Sequence, residues 1–253
     1  MKSKVRSKTN ALCVIMISLG PAVARVAPDD ARELTPANSF EAWREPKGQW
    51  AFVAEVAPGA DNARSLHAKG DSGPILYNGS AGRTANLLTK ESFGDVELHA
   101  EFLVPKGSNS GIKFEGLYEI QIADSYGKSK ADASDCGGIY PRAELLPSYH
   151  HIDEGTPPKS NACKAPGEWQ TLEVLFRAPR FDSQGKKTAN ARFEKVVLNS
   201  VVVHENVELL YPTGHAWRKP EPATGPLFLQ GDHGPVAFRN VRVRPLSGDE
   251  SSR

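Results

Sequence analysis

Two short stretches, far apart in the chain, carry side chains able to hold or move protons. The first is Lys113-Phe114-Glu115-Gly116-Leu117-Tyr118-Glu119-Ile120-Gln121-Ile122-Ala123-Asp124 and the second is Gln230-Gly231-Asp232-His233-Gly234. A glutamate or a histidine abstracts a proton when burial or a neighbour tunes it, and a lysine can hold developing negative charge. An acid beside an imidazole is a general base or a partial metal-ligand set; the same pair also suits a hydrogen-bonded surface loop. In the first stretch period two places Ile120 and Ile122 on one face, and Lys113, Glu119 and Gln121 on the other. The isoleucine face packs. The polar face either meets solvent or lines a concave surface dense in the directional donors and acceptors that a sugar requires.

Other candidates are weaker. Gly107-Ser108-Asn109-Ser110-Gly111 tolerates a tight turn and offers hydrogen-bonding side chains, and alone it signals a turn. His150, His151, Asp153 and Glu154 form a second cluster, but adjacent histidines on an extended chain point to opposite sides and do not chelate one ion together. A solvated loop is the better reading there. Tyr118, Tyr126, Tyr140, Trp169 and Trp217 are aromatic surfaces that could stack on a sugar or simply pack. The chain has no phosphate-cradling loop, zinc-ribbon spacing or Gly-x-Ser-x-Gly elbow.

These residues must be positioned by strands. Asp95 to Val104 alternates, with Val96, Leu98, Ala100 and Phe102 directed inward and Glu97, His99 and Glu101 outward. Lys195-Val196-Val197-Leu198, Asn199-Ser200 and Val201-Val202-Val203 read as a hairpin whose turn Asn199 suits by tolerating positive φ. Further strands are expected at residues 170–177, 226–230 and 236–244. No helical period persists beyond a turn or two. Many short antiparallel strands without helices predict an all-β, two-sheet antiparallel sandwich or jelly roll. Residues 125–167 lack strand patterning and form a long loop, either a lid or a decorative insertion.

The ends and composition bound the function. Lys2, Lys4, Arg6 and Lys8 precede an apolar run, residues 11–19, that is too short to span a bilayer, and Ala22-Val23-Ala24 has a small-x-small cleavage form. Residues 1–24 are therefore expected to be a signal peptide, and the protein to be exported, periplasmic or secreted, with no stable membrane insertion afterwards. Loss of that segment leaves 229 of 253 residues and takes the formal charge from +1 to about −3. Such a mildly acidic chain has no basic field for nucleic acid. Residues 25–38 read as a polar tail, 39–247 as one domain and 248–253 as a second tail. Cys136 and Cys163 remain in the mature chain and are expected to form a disulfide.

The segments "GRTANLLTKESFGDVELHAEF", "VPKGSNSGIKFEGLYEIQIADSYG", "CGGIY", "PGEWQTLEVLFRAPRF", "LNSVVVHENVEL" and "GPLFLQGDHGPVAFRNVRVRPL" together resemble the 3-keto-disaccharide hydrolase family. They occur in that family's order across about residues 70–246. Departures fall at Lys113, Glu115 and Leu117, where the family often carries other residues, and the Asp-His-Gly element sits one residue later. The resemblance implies a concanavalin A-like jelly roll. It also implies an enzyme acting on glycosides oxidised at C3 of a glucose unit, where the ketone acidifies the C2 hydrogen and allows β-elimination of the C1 substituent, followed by hydration. Under that reading Glu119 or His233 is the C2 base. Lys113, or a divalent ion held by His233 and nearby acids, stabilises the enolate. Asn109, Gln121, Asp124, Tyr140, Gln230 and Asp232 contact the sugar, with Asp124 equally suited to cap a strand end. The implied partner is an oligosaccharide or glycoside, and no nucleotide cofactor is expected. A non-catalytic carbohydrate-binding module is the alternative, because such sandwiches also bind glycans without cleaving them.

Overall fold

The structure, a computed structural model, describes residues 31–45 and 47–246. The expected signal peptide and C-terminal tail lie outside the described residues. Among the described residues every helix or strand assigned is a strand. In chain order they are β1 (Arg32–Glu33), β2 (Ala51–Val53), β3 (Glu55–Pro58), β4 (Leu66–Lys69), β5 (Ile75–Tyr77) and β6 (Leu87–Phe93). Next come β7 (Val96–Leu103), β8 (Asn109–Phe114), β9 (Tyr118–Ala123), β10 (Ala143–Glu144), β11 (His150–His151) and β12 (Gln170–Arg177). The last are β13 (Arg180–Phe181), β14 (Lys187–Ala189), β15 (Ala191–Leu198), β16 (Val201–Leu209), β17 (Gly225–Leu229) and β18 (Ala237–Pro245).

Two antiparallel sheets form the sandwich. The larger has the order β16-β15-β12-β7-β18-β5-β2, with β1 also paired to β18, and the smaller has the order β6-β17-β8-β9. One core joins them: Val96, Leu98, Ala100 and Phe102 from the larger sheet pack with Ile112, Phe114, Ile120, Ile122, Leu227 and Leu229 from the smaller. Phe114, Phe176 and Phe193 meet with ring centroids 5.0–5.4 Å apart. Each such buried ring contributes about 1.5–3 kcal/mol from the apolar area it removes from water. The outer face of the larger sheet is laced with cross-strand ion pairs, Glu97–Arg244, Glu101–Arg239 and Arg177–Glu194. The alternation expected for residues 95–104 is therefore borne out in β7. So is the Asn199-Ser200 turn, where both residues have positive φ.

Two expectations need correction, and a third, the Cys136–Cys163 disulfide, is not formed in this structure. Residues 31–38 are not a detached tail: Arg32 and Glu33 pair with Val243 and Arg242, and Leu34 and Thr35 are buried. Apolar Leu34 has a core site to fill, which polar neighbours conceal in the sequence. The stretch from Lys113 to Asp124 is not one strand but a hairpin, turning at Glu115 and Gly116, both at positive φ. Cys136 and Cys163 are free thiols in this structure. They are hydrogen-bonded neighbours, a bond that raises the Cys136 pKa and lowers that of Cys163.

The long loop is ordered by specific contacts. Gly137–Tyr140 runs along the free edge of β9, through Gln121 N–H to Gly138 O, Gly137 N–H to Gln121 O and Tyr140 N–H to Glu119 O. The short β10–β11 hairpin follows, and the Arg142–Asp153 ion pair at 2.6 Å closes it. That hairpin reaches over the outward face of the smaller sheet.

Candidate active site

The outward face of the smaller sheet carries a polar pocket lined by Asn109, Lys113, Glu119, Gln121, Tyr140, Tyr149, Gly214, His215, Gln230 and His233. Lys113 on β8 and Glu119 on β9 are register partners. Their ammonium and carboxylate stand 2.8 Å apart, with side chains 11% and 3% exposed. Lys113 also lies over the Phe228 ring, 5.3 Å from its centroid. Gly111 makes room for the pair, because a Cβ there would stand 2.3 Å from Glu119 Oε1. Opposite charges this deeply desolvated need each other, since removing one leaves the other buried and uncompensated.

His233 reaches the pocket from the loop between β17 and β18. Its Nδ1 lies 2.5 Å from Asp232 Oδ1, so a proton on Nδ1 leaves Nε2 as the basic nitrogen. Asp232 is anchored in turn by Asn86 Nδ2 at 3.3 Å, and its carbonyl accepts from Arg83 at 2.8 Å. Gly82, at φ +57°, packs so closely on this loop that a Cβ would stand 2.0 Å from the Gly234 carbonyl carbon. The loop is therefore held against the sheet rather than hinged from it. His215 enters from the segment between β16 and β17. Burial, then the nearby Lys113 charge, push its pKa down, which favours a neutral imidazole.

Gln121 and Gln230 flank these groups. Gln121 Nε2 donates to Asn109 Oδ1 at 3.0 Å, which fixes the amide. The Oε1 atoms of both glutamines are buried without a hydrogen-bond partner. Two unsatisfied acceptors in one pocket are costly unless a ligand supplies donors. Tyr140 completes the wall: its hydroxyl lies 2.7 Å from the Tyr149 hydroxyl and 3.2 Å from His151 Nε2. Burial first, then the bond to Tyr149, raise the Tyr140 pKa, so the phenol keeps its proton at neutral pH.

The fold thus gathers Lys113, Glu119, His233, Asn109, Gln121, Tyr140 and Gln230 around one pocket. Asp232 stands behind His233 rather than on the lining. Asp124 is also off the lining: its carboxylate accepts from Gly107 N–H at 2.9 Å and Tyr126 N–H at 3.3 Å, the capping role. Residues 113, 119 and 121 share a face even across a turn, because paired residues in this register have the same parity. His215 and Tyr149 escaped the sequence reading. His215 lies between Gly214 and Ala216 with no periodic strand to give it a face, and Tyr149 reaches the pocket only through the β10–β11 hairpin. Tyr118 and Trp169 are not sugar platforms: Tyr118 is core, bonded to Glu221, and Trp169 stacks on Arg239 at 4.0 Å.

The donors do not fit a divalent ion as they stand. Glu119 is held by Lys113, and among the described residues no group of three His, Cys, Asp or Glu side chains is arranged to hold one.

The family model of the 3-keto-alpha-glucoside-1,2-lyase-like domain matches residues 30–244. The chain belongs to that family. No curated protein matches significantly. Among solved structures, a candidate glycosyl hydrolase from Parabacteroides distasonis ATCC 8503 is similar at 26% identity and TM-score 0.60, covering 87% of this chain and 85% of that one. A second such protein from the same organism, 15% identical with TM-score 0.52, covers 86% of this chain and 94% of that one and shares the fold. This 3-keto-alpha-glucoside-1,2-lyase-like domain is a carbohydrate-active jelly roll whose polar pocket lies on the outward face of the smaller sheet.

Proposed function

We propose that this protein cleaves the glycosidic bond of 3-keto-glycosides, 3-keto-disaccharides among them, by C2 proton abstraction and β-elimination, with water then adding to the unsaturated product. The observation that carries this reading is the charge inventory of the pocket. Among the described residues Glu119 is the single carboxylate on its lining and is ion-paired to Lys113, whereas most glycosidases place two carboxylates on either side of the scissile bond.

His233 Nε2 takes the C2 hydrogen as a proton, and Asp232 holds the ring in the tautomer that allows this. The electrons become the C2–C3 double bond of an enolate, whose oxygen meets the Lys113 ammonium. Collapse of the enolate restores the C3 ketone, forms the C1–C2 double bond and breaks the C1–O1 bond. Glu119 acts as the holder of Lys113 in this scheme. Gln121 and Gln230 accept hydrogen bonds from sugar hydroxyls, which satisfies their otherwise unpaired oxygens. Glu119 already pairs with Lys113, so Lys113 is assigned the enolate. The protein acts after export, in the periplasm or outside the cell, on an oligosaccharide or glycoside, and a thiol oxidant of that compartment takes the two electrons and two protons released when Cys136 joins Cys163.

Incubation with 3-keto-trehalose, 3-keto-lactose and their unoxidised parents, with and without a chelator, tests the assignment. Turnover of the keto sugars alone, unaffected by chelation, is the expected result. Binding of unmodified glycan without any turnover would mark a carbohydrate-binding module instead, and activity lost on chelation and restored by one metal would transfer the enolate from Lys113 to an ion.

A further inference from the structure

β-Elimination needs a proton at the departing oxygen as well as a base at C2, and the smaller sheet offers a group on the far side of the Lys113–Glu119 pair. The sheet order β17-β8-β9 continues into the Gly137–Tyr140 segment, which is bonded to β9 through Ile120, Gln121 and Glu119. His233, carried beyond β17, and Tyr140, carried beyond β9, line the same pocket as the ion pair.

The surroundings of Tyr140 suit an acid. Its oxygen has two neighbours, the Tyr149 hydroxyl at 2.7 Å and His151 Nε2 at 3.2 Å. A phenol has one hydrogen and two lone pairs. The bond that raises the Tyr140 pKa is the one in which Tyr140 donates to Tyr149; either hydroxyl can be the donor, and when both rotate so that Tyr149 and His151 donate to Tyr140, its own hydrogen is left for the pocket. The same two donors would stabilise the phenolate formed once that hydrogen is given away. The rings of Tyr140 and Tyr149 meet His151 edge-on, with centroids 5.3 Å and 5.6 Å apart. Tyr149 is 52% exposed and His151 is exposed, so the cluster runs from the pocket wall to bulk water.

Resting on the elimination proposed above, we infer that Tyr140 is the acid that protonates the leaving oxygen, and that Tyr149 and His151 position it and return its proton from solvent. As the C1–O1 bond breaks, its electron pair stays on O1 and takes the Tyr140 hydrogen. The alcohol departs and Tyr140 is left as a phenolate. His233 releases the C2 proton to water, and water reprotonates Tyr140 through the Tyr149–His151 cluster, so the protein ends each cycle unchanged. His151 is a positioning residue in this scheme, since it touches Tyr140 and not the substrate.

Leaving-group dependence separates this role from a structural one. The full-length protein and its Tyr140→Phe, Tyr149→Phe and His151→Gln variants are assayed on 3-keto-trehalose, whose leaving oxygen is a basic alkoxide, and on 4-nitrophenyl 3-keto-glucoside, whose leaving phenolate needs no proton. Tyr140→Phe is expected to lose about 100-fold or more in kcat/KM on the disaccharide and less than about 5-fold on the nitrophenyl glycoside. Tyr149→Phe and His151→Gln are expected to show the same asymmetry at about 3- to 10-fold. An equal loss on both substrates, with cooperative unfolding unchanged, would reduce Tyr140 to a wall residue and overturn the inference while leaving the elimination intact. Absence of turnover of either keto-glycoside by the unmodified protein would overturn the elimination itself and this inference with it.

Discussion

Lys113 and Glu119 are together tolerable and separately expensive. With side chains 11% and 3% exposed, neither can recover its hydration if the other is removed, and a broken buried pair costs about 3–5 kcal/mol. Lys113→Met is therefore expected to lower unfolding free energy in urea by about 3 kcal/mol. Lys113→Met combined with Glu119→Leu should recover most of that, with turnover of 3-keto-glycosides still lost. His233 follows different logic. It is 49% exposed on its side chain, so His233→Ala should leave the urea midpoint nearly unchanged while kcat falls by about 100-fold or more. Asp232→Asn, which offers an amide where a carboxylate held the ring, should fall between that variant and the unmodified protein. A Glu119→Gln variant slower than His233→Ala would move the base from His233 to Glu119.

The hairpin of β8 and β9 carries the ion pair on one face and core isoleucines on the other, and its turn holds an unusual acid. Glu115 is 5% exposed, at φ 55°, and neither carboxyl oxygen has a hydrogen-bond partner. Burial first, then repulsion from Glu221 and Asp95, raise its pKa to about 8. The unfolded chain releases this proton near the usual carboxylate value. Between about pH 4.5 and about pH 8 the folded state therefore binds a proton that the unfolded state does not, and stability falls as pH rises through that window. Glu115→Gln, neutral at every pH, should remove this slope and raise stability at pH 8 by on the order of a few kcal/mol. Urea titrations of both proteins at pH 5 and pH 8 measure it, and parallel pH profiles would place the charge in water rather than in the turn. This buried acid was not legible in the sequence, where Glu115 falls on the polar face with Glu119 and Gln121. Only the packing of Gly225, so close that its Cβ would lie 2.7 Å from the Glu115 Cα, reveals the enclosure.

At the scale of the whole molecule the pocket is assembled from four regions of the chain: residues 109–121, 140–149, 214–215 and 230–233. The long loop supplies the second of these, so whatever loosens it should impair the pocket as well as the fold. Cys136 and Cys163, side by side at the base of that loop, give a direct test. Protein recovered after export is expected to be lighter than the reduced mature chain by two hydrogens, and a reductant should then cost on the order of 3 kcal/mol of stability. Two alkylatable thiols in the exported, denatured protein would show that the pair stays reduced.

Much of the architecture was written locally. Alternation in residues 95–104 and the Asn199-Ser200 turn suffice for their elements, because side-chain period and positive-φ tolerance are properties of a few neighbouring residues. Parity carried Lys113, Glu119 and Gln121 to one face even through an unrecognised turn. The sequence alone thus determined an all-β sandwich and the polar face that carries Lys113, Glu119 and Gln121. Tertiary structure decided what those residues do to one another: that Glu119 is spoken for by Lys113, that His215 and Tyr149 join the pocket, that Asp124 caps a turn, and that residues 31–38 belong to the domain. The places of His215, Tyr149 and residues 31–38 depend on contacts between segments far apart in the chain, and the Lys113–Glu119 pair, local to one hairpin, owes its force to the desolvation that only a closed fold imposes.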